Sequence, residues 1–256
     1  MNLVLRNISL LVLWSSIAYS ALAQETSIEK FNQGVQYYSS GSYKEAADVW
    51  TGIYNTGYRS ASLNYNIANA NFKLQNIPQA ILFYERAYLL DPTNEDINYN
   101  LQIARTLIVD RFQEIPELFF IRWYNLLALL LTSNQWAYIS ISAFVLCLIF
   151  LSLYIFSASY LYKVSGFWLA LFFLFISGSS LIFSQRNKYL VHDSHKAIIF
   201  TPAISGKSSP DPSGTDLFVL HEGTKVSIED EVGEWYEIRL SDGNKGWVPT
   251  NSLNII

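Results

Sequence analysis

The sequence predicts a multidomain membrane protein in which an all-α repeat domain, a hairpin of two transmembrane helices and a small all-β barrel follow one another. Near the N-terminus, apolar residues in 31–53 recur in 65–87, a shift of 34 positions. Two long apolar segments in the middle of the chain carry almost no charge, and short strand-like runs separated by glycines fill the C-terminal part. A hydrophobic fraction of 51% fits a chain that is partly in lipid.

Charge and cysteine content argue against several classes of function. The formal net charge of −4 and the lack of a Lys/Arg stripe argue against a nucleic-acid partner. The single cysteine, Cys147, excludes an intramolecular disulfide, a cysteine-rich zinc site and a CxxC redox centre. No phosphate loop, GxSxG or HExxH motif occurs, and His192 and His195 beside Asp193 would need further ligands to hold a metal. We therefore predict no catalytic, cofactor-binding or metal-binding residues and no enzymatic activity.

The N-terminus predicts an exported protein. Arg6 precedes the apolar run 8–13, and the small-residue ending at residues 21–23 is followed by polar Gln24. This pattern is typical of a signal peptide over residues 1–23, with an uncleaved anchor helix as the alternative.

Two similar helical units are predicted at 27–60 and 61–94, followed by a cap helix at 95–112. Gly34 and Ala68 let two helices approach closely, while Trp50 and Tyr84 fill the adjoining space. The pattern resembles tetratricopeptide repeats, although Asn71, Gln75 and a missing proline after the first unit depart from it. The positions that carry the resemblance are Gly34, Tyr37, Gly41, Tyr43, Ala46, Trp50 and Ile53, matched by Ala68, Asn71, Gln75, Ile77, Ala80, Tyr84, Ala87 and then Pro92.

This resemblance implies a concave groove, lined by the first helix of each repeat, that binds a peptide or a partner helix. In the groove, Asn69 would bind peptide backbone and Lys73 a carboxylate. The alternative is that the aromatic side chains only pack the repeats together. The candidate partner-binding residues are Phe31, Val35, Tyr38, Tyr65, Asn69, Phe72, Lys73, Tyr99 and Ile103.

The middle of the chain predicts an elbow with an interfacial helix at 113–135, transmembrane helices at 136–160 and 164–184, and a linker at 185–195. Lys163 is in the predicted hairpin turn, whereas Arg122, Arg186 and Lys188 flank the opposite ends. This distribution opposes export of both soluble parts, but the predicted signal peptide favours it, and we give the signal peptide more weight. We predict a protein of the bacterial inner membrane with both soluble domains facing the periplasm.

From residue 196 to 256, the pattern predicts five strands at 197–200, 217–220, 224–228, 235–240 and 246–248. The order Gly233-Glu234-Trp235-Tyr236 and then Asp242-Gly243 with Gly246-Trp247-Val248-Pro249 resembles bacterial SH3 domains. The side chains of Trp235, Tyr236, Trp247 and Pro249 are candidates either for a ligand cleft or for the barrel core.

The order of repeats, membrane hairpin and bacterial SH3 domain covers nearly the whole chain and is similar to BatE-type proteins of the Bacteroides aerotolerance (Bat) operon. The segment 94–110 ahead of a proline elbow is also similar to that family. The resemblance implies protein partners, including von Willebrand A-domain Bat proteins, and a role in oxidative-stress tolerance or envelope maintenance. The preferred function is scaffolding, and the alternative is binding or sensing of peptidoglycan by the SH3 domain.

Overall fold

The computed structural model describes residues 27–112, 118–193 and 195–256. The predicted signal peptide at 1–23 lies outside these ranges, as does the start of the predicted elbow. The described chain forms a helical array, a long helical hairpin and a β barrel, in that order.

The helical array consists of five helices. Helix α1 covers residues 27–39, and it is followed by α2 (Tyr43–Asn55), α3 (Ala61–Lys73), α4 (Ile77–Leu90) and α5 (Glu95–Thr106). From α2 to α4, and again from α3 to α5, the starting residue advances by 34 positions (43 to 77 and 61 to 95). Successive helices therefore repeat one antiparallel unit, and α5 covers the open side of α4.

Trp50 is the centre of the first helix pair. It is 2% exposed, and its indole N–H donates to the carbonyl oxygen of Phe31 at 3.1 Å. A Cβ atom at Gly34 would collide with the indole ring, so only glycine fits at this crossing. Tyr84 lies 34 positions after Trp50 and is also buried. The packing of small against large side chains explains the sequence pattern.

The second hairpin turn shows why its sequence departs from the tetratricopeptide pattern. Gly41 has a φ of 83° in the first turn, and Gln75, 34 positions later, has a φ of 62° in the second. A left-handed conformation at Gln75 costs roughly 1 kcal/mol. The buried Asn71 helps to hold this turn, because its amide donates to the Ile67 carbonyl oxygen at 2.8 Å and its side-chain oxygen accepts from Asn76 at 3.3 Å.

Helix α5 ends at Thr106, before the end of the cap helix predicted to reach residue 112. The chain leaves the helix because the following segment packs elsewhere. Ile108 contacts the core of the helical array, whereas Phe112 packs against the core of the barrel.

Helix α6 (Phe119–Leu129) lies within the predicted elbow, and helices α7 (Ser133–Phe156) and α8 (Tyr160–Lys188) then form the hairpin. Both hairpin helices are long and apolar enough to cross a membrane. Helix α7 starts before the predicted residue 136, because Thr132 and Gln135 form a capping box. The turn is at 157–159, so Lys163 lies on the first turn of α8 and not in the hairpin turn. Helix α8 continues past residue 184 into a π-helical turn, Tyr189–Asp193, where a linker was predicted.

Small residues join the two long helices. The Ser140 and Ser177 hydroxyls each donate to the carbonyl oxygen of the other residue at 2.9 Å. A Cβ atom at Gly166 would approach the Phe150 carbonyl oxygen to 2.9 Å, so the backbones are close there too. Small residues at such crossings are typical of helix pairs packed in membranes.

The barrel has seven antiparallel strands in the order β3-β2-β6-β5-β4-β1-β7. The five predicted strands overlap β1, β3, β4, β5 and β6, whereas β2 and β7 were missed. Strand β2 contains Gly206, where a side chain would collide with the Phe218 ring, and a glycine within a strand weakens the strand signal in the sequence. The strands are β1 (Lys196–Ile199), β2 (Ala203–Lys207), β3 (Asp216–His221), β4 (Lys225–Val232), β5 (Trp235–Arg239), β6 (Lys245–Pro249) and β7 (Leu253–Ile255).

Candidate functional surfaces

A cavity of about 260 Å³ opens on the side of the helical array formed by α1, α3 and α5. Its lining combines aromatic rings with amides and one lysine. Six of the nine predicted groove residues line it. The full lining is Tyr38, Tyr65, Asn69, Phe72, Lys73, Tyr84, Asn100 and Ile103.

A hydrogen-bonded network forms the floor of this groove. The Tyr84 hydroxyl donates to the side-chain oxygen of Asn69 at 2.6 Å. The Asn100 amide donates to the Tyr65 hydroxyl oxygen at 2.8 Å and to Asn69 at 3.2 Å. Burial raises the pKa of Tyr84, so its phenol stays protonated and acts as a donor. Asn69 is therefore part of the packed structure as well as of the groove surface, whereas Lys73 is exposed.

Three predicted groove residues do not line this cavity. Phe31 packs against Trp50, with ring centroids 6.2 Å apart, and Val35 lies on the exposed side of α1. Tyr99 is 66% exposed, although its repeat equivalent Tyr65 contacts Tyr84. Among the described residues no further helix pair follows α5 in the array, so Tyr99 is not covered as Tyr65 is.

The prediction missed two residues of the groove floor, Tyr84 and Asn100. Tyr84 appeared in the sequence only as a repeat-packing residue. Asn100 lies 34 positions after Asn66, and neither asparagine is among the positions that carry the repeat resemblance. Its neighbours Leu101 and Ala104 are buried, which sets the rotation of α5 and turns Asn100 towards α3.

The four predicted cleft residues of the barrel are on two different faces. In the β5–β6 register, Trp235 is opposite Pro249 and Trp247 is opposite Glu237, so these side chains share the outer face. Tyr236 alternates to the other face and packs against the barrel core. Trp235, Trp247 and Pro249 are half-buried and outside the core, so core packing applies to Tyr236 alone.

The helical array and the barrel meet in a junction formed by α4, the segment after α5, β1 and the β3–β4 turn. Ala197 and Ile199 face the barrel core, while Ile198, between them, is fully buried in the core of the helical array. Phe200 and Ile256 also pack against that core. Strand β1 is therefore covered on both faces, which explains its continuous apolar sequence.

Glu85 on α4 is the buried charge of this junction. Its carboxylate pairs with Arg105 on α5 at 2.5 Å and with Lys225 on β4 at 2.6 Å. Burial opposes ionisation, but the attraction of Lys225 and Arg105 outweighs it and lowers the pKa of Glu85 to about 2. A residue of the helical array and a residue of the barrel thus share one buried carboxylate.

A second carboxylate, Asp110, joins the β3–β4 turn to the end of the helical array. It accepts hydrogen bonds from the His221 backbone N–H at 2.7 Å and from the Thr224 hydroxyl at 2.6 Å. The His221 Nδ1 atom is 2.7 Å from the other carboxylate oxygen. Partial burial opposes ionisation of Asp110, but these hydrogen bonds lower its pKa overall. Sequence reasoning missed the junction because its partners are more than 100 positions apart.

No cluster of three His, Cys, Asp or Glu side chains that could hold a metal ion occurs in the described ranges. The groove of the helical array and the outer face of the barrel are the two candidate recognition surfaces that contain residues predicted from the sequence.

Comparison with known proteins identifies one part of the chain. Residues 207–254 match the family model described as bacterial SH3 domain, and no curated protein matches the chain. The match extends from the end of β2 into β7 and includes Trp235, Trp247 and Pro249. The prediction of a C-terminal bacterial SH3 domain is therefore confirmed for this segment, and domains of this kind bind proteins or cell-wall material.

Proposed function

We propose that the protein is a non-enzymatic, membrane-anchored scaffold whose helical array binds a segment of a partner protein. The observation that carries this proposal is the groove, which brings six predicted residues and two unpredicted ones around one cavity. Its aromatic walls suit an apolar side chain, and its amides suit peptide backbone. The 34-residue recurrence of the helix pairs supports their assignment as tetratricopeptide repeats.

The order of these parts supports kinship with the BatE-type proteins, and with it a place in an aerotolerance or envelope-stress complex. Von Willebrand A-domain Bat proteins would then be the partners. The residues that form the junction are not those that line the groove or the outer barrel face, so the two surfaces can act together from fixed positions.

The hairpin is proposed as the anchor in the bacterial inner membrane. Apolar side chains such as Ile141, Phe144 and Phe175 point away from the α7–α8 contact and are exposed. The junction supports a two-span arrangement, because chain segments before and after the hairpin contact each other and must be on one side. The predicted signal peptide favours the periplasmic side, against the weak bias of the flanking cations.

An engineered disulfide tests both the junction and its compartment. An added Cβ atom at Gly223 would lie 3.7 Å from the Cβ atom of Ile108, which suits a disulfide. In a Cys147→Ser background, Ile108→Cys with Gly223→Cys is expected to form a bond spontaneously in intact cells, seen as a mobility shift on non-reducing gels. The bond should tolerate the φ of 87° at position 223, because a left-handed residue costs only about 1–2 kcal/mol.

The single-cysteine variants serve as controls and should show no shift. A bond that forms only after oxidation of the purified protein would place the junction in the cytoplasm and contradict the periplasmic assignment. A pair that stays reduced even then would contradict the docking of barrel and array.

The groove is tested with a photoreactive benzoylphenylalanine at position 72 in the full-length chain in native membranes. We expect a discrete adduct from position 72 and none from position 45, since Glu45 is exposed on α2, away from the groove. Lys73→Glu should lower the adduct yield about fivefold, equivalent to about 1 kcal/mol. Its matched control, Lys44→Glu on α2, should leave the yield unchanged.

Lys73 is the informative polar position, because Asn69 accepts hydrogen bonds from Tyr84 and Asn100 and its removal would disturb folding as well. The exposed Lys73 side chain should contribute less than about 0.5 kcal/mol to stability. An adduct yield that Lys73→Glu leaves unchanged would contradict the proposed groove.

The second candidate function is binding of peptidoglycan by the barrel. The observation that favours it is the outer face with Trp235, Trp247 and Pro249, which the barrel core does not use. The test is sedimentation of the full-length protein in detergent with purified cell wall. If the double variant Trp235→Ala with Trp247→Ala no longer sediments while Lys73→Glu still does, the barrel binds the cell wall.

A further inference from the structure

Helix α6 (Phe119–Leu129) is fixed to the end of the hairpin by hydrogen bonds to its backbone and side chains. The Asn187 amide donates to the carbonyl oxygens of Ala128 at 3.1 Å and Leu131 at 3.0 Å. The Trp136 indole N–H also donates to Ala128 at 3.1 Å, and the Arg186 guanidinium donates to Asn125 at 3.0 Å. These bonds give α6 one position and one rotation relative to α7 and α8.

The side of α6 that faces away from the hairpin is apolar. At 100° per residue, Asn125, Ala128 and Leu129 cluster on the side that contacts the protein. Opposite them lies a stripe of five side chains that are between 46% and 72% exposed, without a polar residue among them. The stripe consists of Phe119, Phe120, Trp123, Leu127 and Leu130.

An apolar stripe of five neighbouring exposed side chains is unfavourable in water and indicates a contact surface. Two facts favour lipid as the cover of that surface. Helix α6 packs against the end of the same hairpin whose own outer surface is apolar and exposed. The helix has 11 residues and is roughly 16 Å long, about half of the hydrocarbon thickness, so it cannot cross the membrane itself.

The composition of the stripe also fits the membrane boundary. Trp123 offers a ring with one polar N–H, which prefers the level of the lipid headgroups. Arg122 is exposed at the flank of the stripe, where a guanidinium can reach headgroup phosphates.

We propose that α6 is a third membrane-contacting element, which lies at the lipid boundary with this stripe against the acyl chains. Together with the hairpin it sets the height and the rotation of the helical array and barrel above the membrane. This inference rests on the proposed membrane anchoring by α7 and α8.

Spin labels on the full-length protein test the inference in nanodiscs of phosphatidylethanolamine and phosphatidylglycerol. In the Cys147→Ser background, a nitroxide is attached to Trp123→Cys or Leu127→Cys, to Ile141→Cys on α7, and to Tyr58→Cys on the helical array. At positions 123 and 127, collisions with apolar oxygen should exceed those with a water-soluble nickel chelate, as at position 141. At position 58 the order should be reversed.

The labelled positions distinguish the outcomes that contradict the role of α6 from those that contradict the anchor. Water-like accessibility at 123 and 127 with lipid-like accessibility at 141 would overturn the role of α6 and leave the anchor intact. Water-like accessibility at 141 would contradict the anchor itself. Spin–spin broadening at 123 that disappears on dilution with unlabelled protein would show a second copy on the stripe, which also overturns lipid as its cover.

Discussion

Replacing Trp50 by alanine is expected to lower the free energy of unfolding of the helical array by about 3–5 kcal/mol. The indole is 2% exposed and packs against the backbone at Gly34, so its loss leaves a large cavity that glycine cannot fill. The hydrogen bond from the indole to the Phe31 carbonyl oxygen is lost as well. This cost is a large fraction of the stability of a small domain.

Hydrogen exchange of α1 and α2 peptides in the detergent-solubilised protein measures this change locally. Trp50→Phe is the control, because it keeps an aromatic ring but loses the N–H donor, and it should cost about 1–2 kcal/mol. If the alanine variant keeps its protection within about 1 kcal/mol of the parent, the packing described for the first helix pair is wrong.

The positions of the helices in the array could be predicted from the sequence, because each buried position recurs after a fixed interval and the interval itself indicates the unit. The conformation of the turn at Gln75 could not be predicted in this way. Gln75 adopts a left-handed conformation in a turn where the Asn76 amide donates to the side-chain oxygen of Asn71. Such local contacts leave no periodic signal in the sequence.

The predicted first and last residues of α7 and α8 differ from the observed ones for a related reason. Apolar composition locates a helix that can cross a membrane, but its first and last residues are set by caps. The capping box of Thr132 and Gln135 starts α7 early, and the polar residues Arg186 and Asn187 continue α8 because they bond to α6. From the sequence alone, polar residues at such a boundary indicate a linker.

The candidate surfaces were predicted in part. Six of the groove positions could be predicted from the repeat period, but Tyr99 does not line the cavity, because no further helix pair follows α5 in the described part of the array. The outer face of the barrel required the strand register, which places Trp235 and Tyr236 on opposite sides although they are adjacent in sequence. The junction depends on contacts between residues 85 and 225, and no local pattern encodes such a pair.

Replacing Glu85 by glutamine should destabilise the junction by about 3 kcal/mol at neutral pH. The substitution keeps the size of the side chain but removes the negative charge that Lys225 and Arg105 share. Both cations are partly exposed, so the cost belongs at the lower end of the range for a broken buried ion pair. Chemical denaturation with hydrogen exchange of α4 and β4 peptides measures the loss on both sides of the junction.

Glu229 provides a matched control within the barrel. Its carboxylate also pairs with two cations, Arg239 and Lys245, but this pair of contacts is on the surface. Glu229→Gln should therefore change stability by less than about 1 kcal/mol. Equal effects at positions 85 and 229 would show that the junction does not depend on a buried charge.

The pH dependence of stability tests the role of the Glu85 carboxylate independently. The pKa of Glu85 is lowered to about 2, so the unfolded chain binds its proton at a higher pH than the folded protein does. The stabilisation by Glu85 is then complete above the ordinary glutamate pKa of about 4.5 and is lost as the pH falls towards 2. The stability difference between the parent and Glu85→Gln should shrink across this interval, because protonation neutralises the parent carboxylate as the substitution does.

Asp110 remains in both proteins, so its own acid sensitivity cancels in the comparison. A difference that stays constant from neutral pH to about 2 would mean that the Glu85 charge does not hold the barrel to the array.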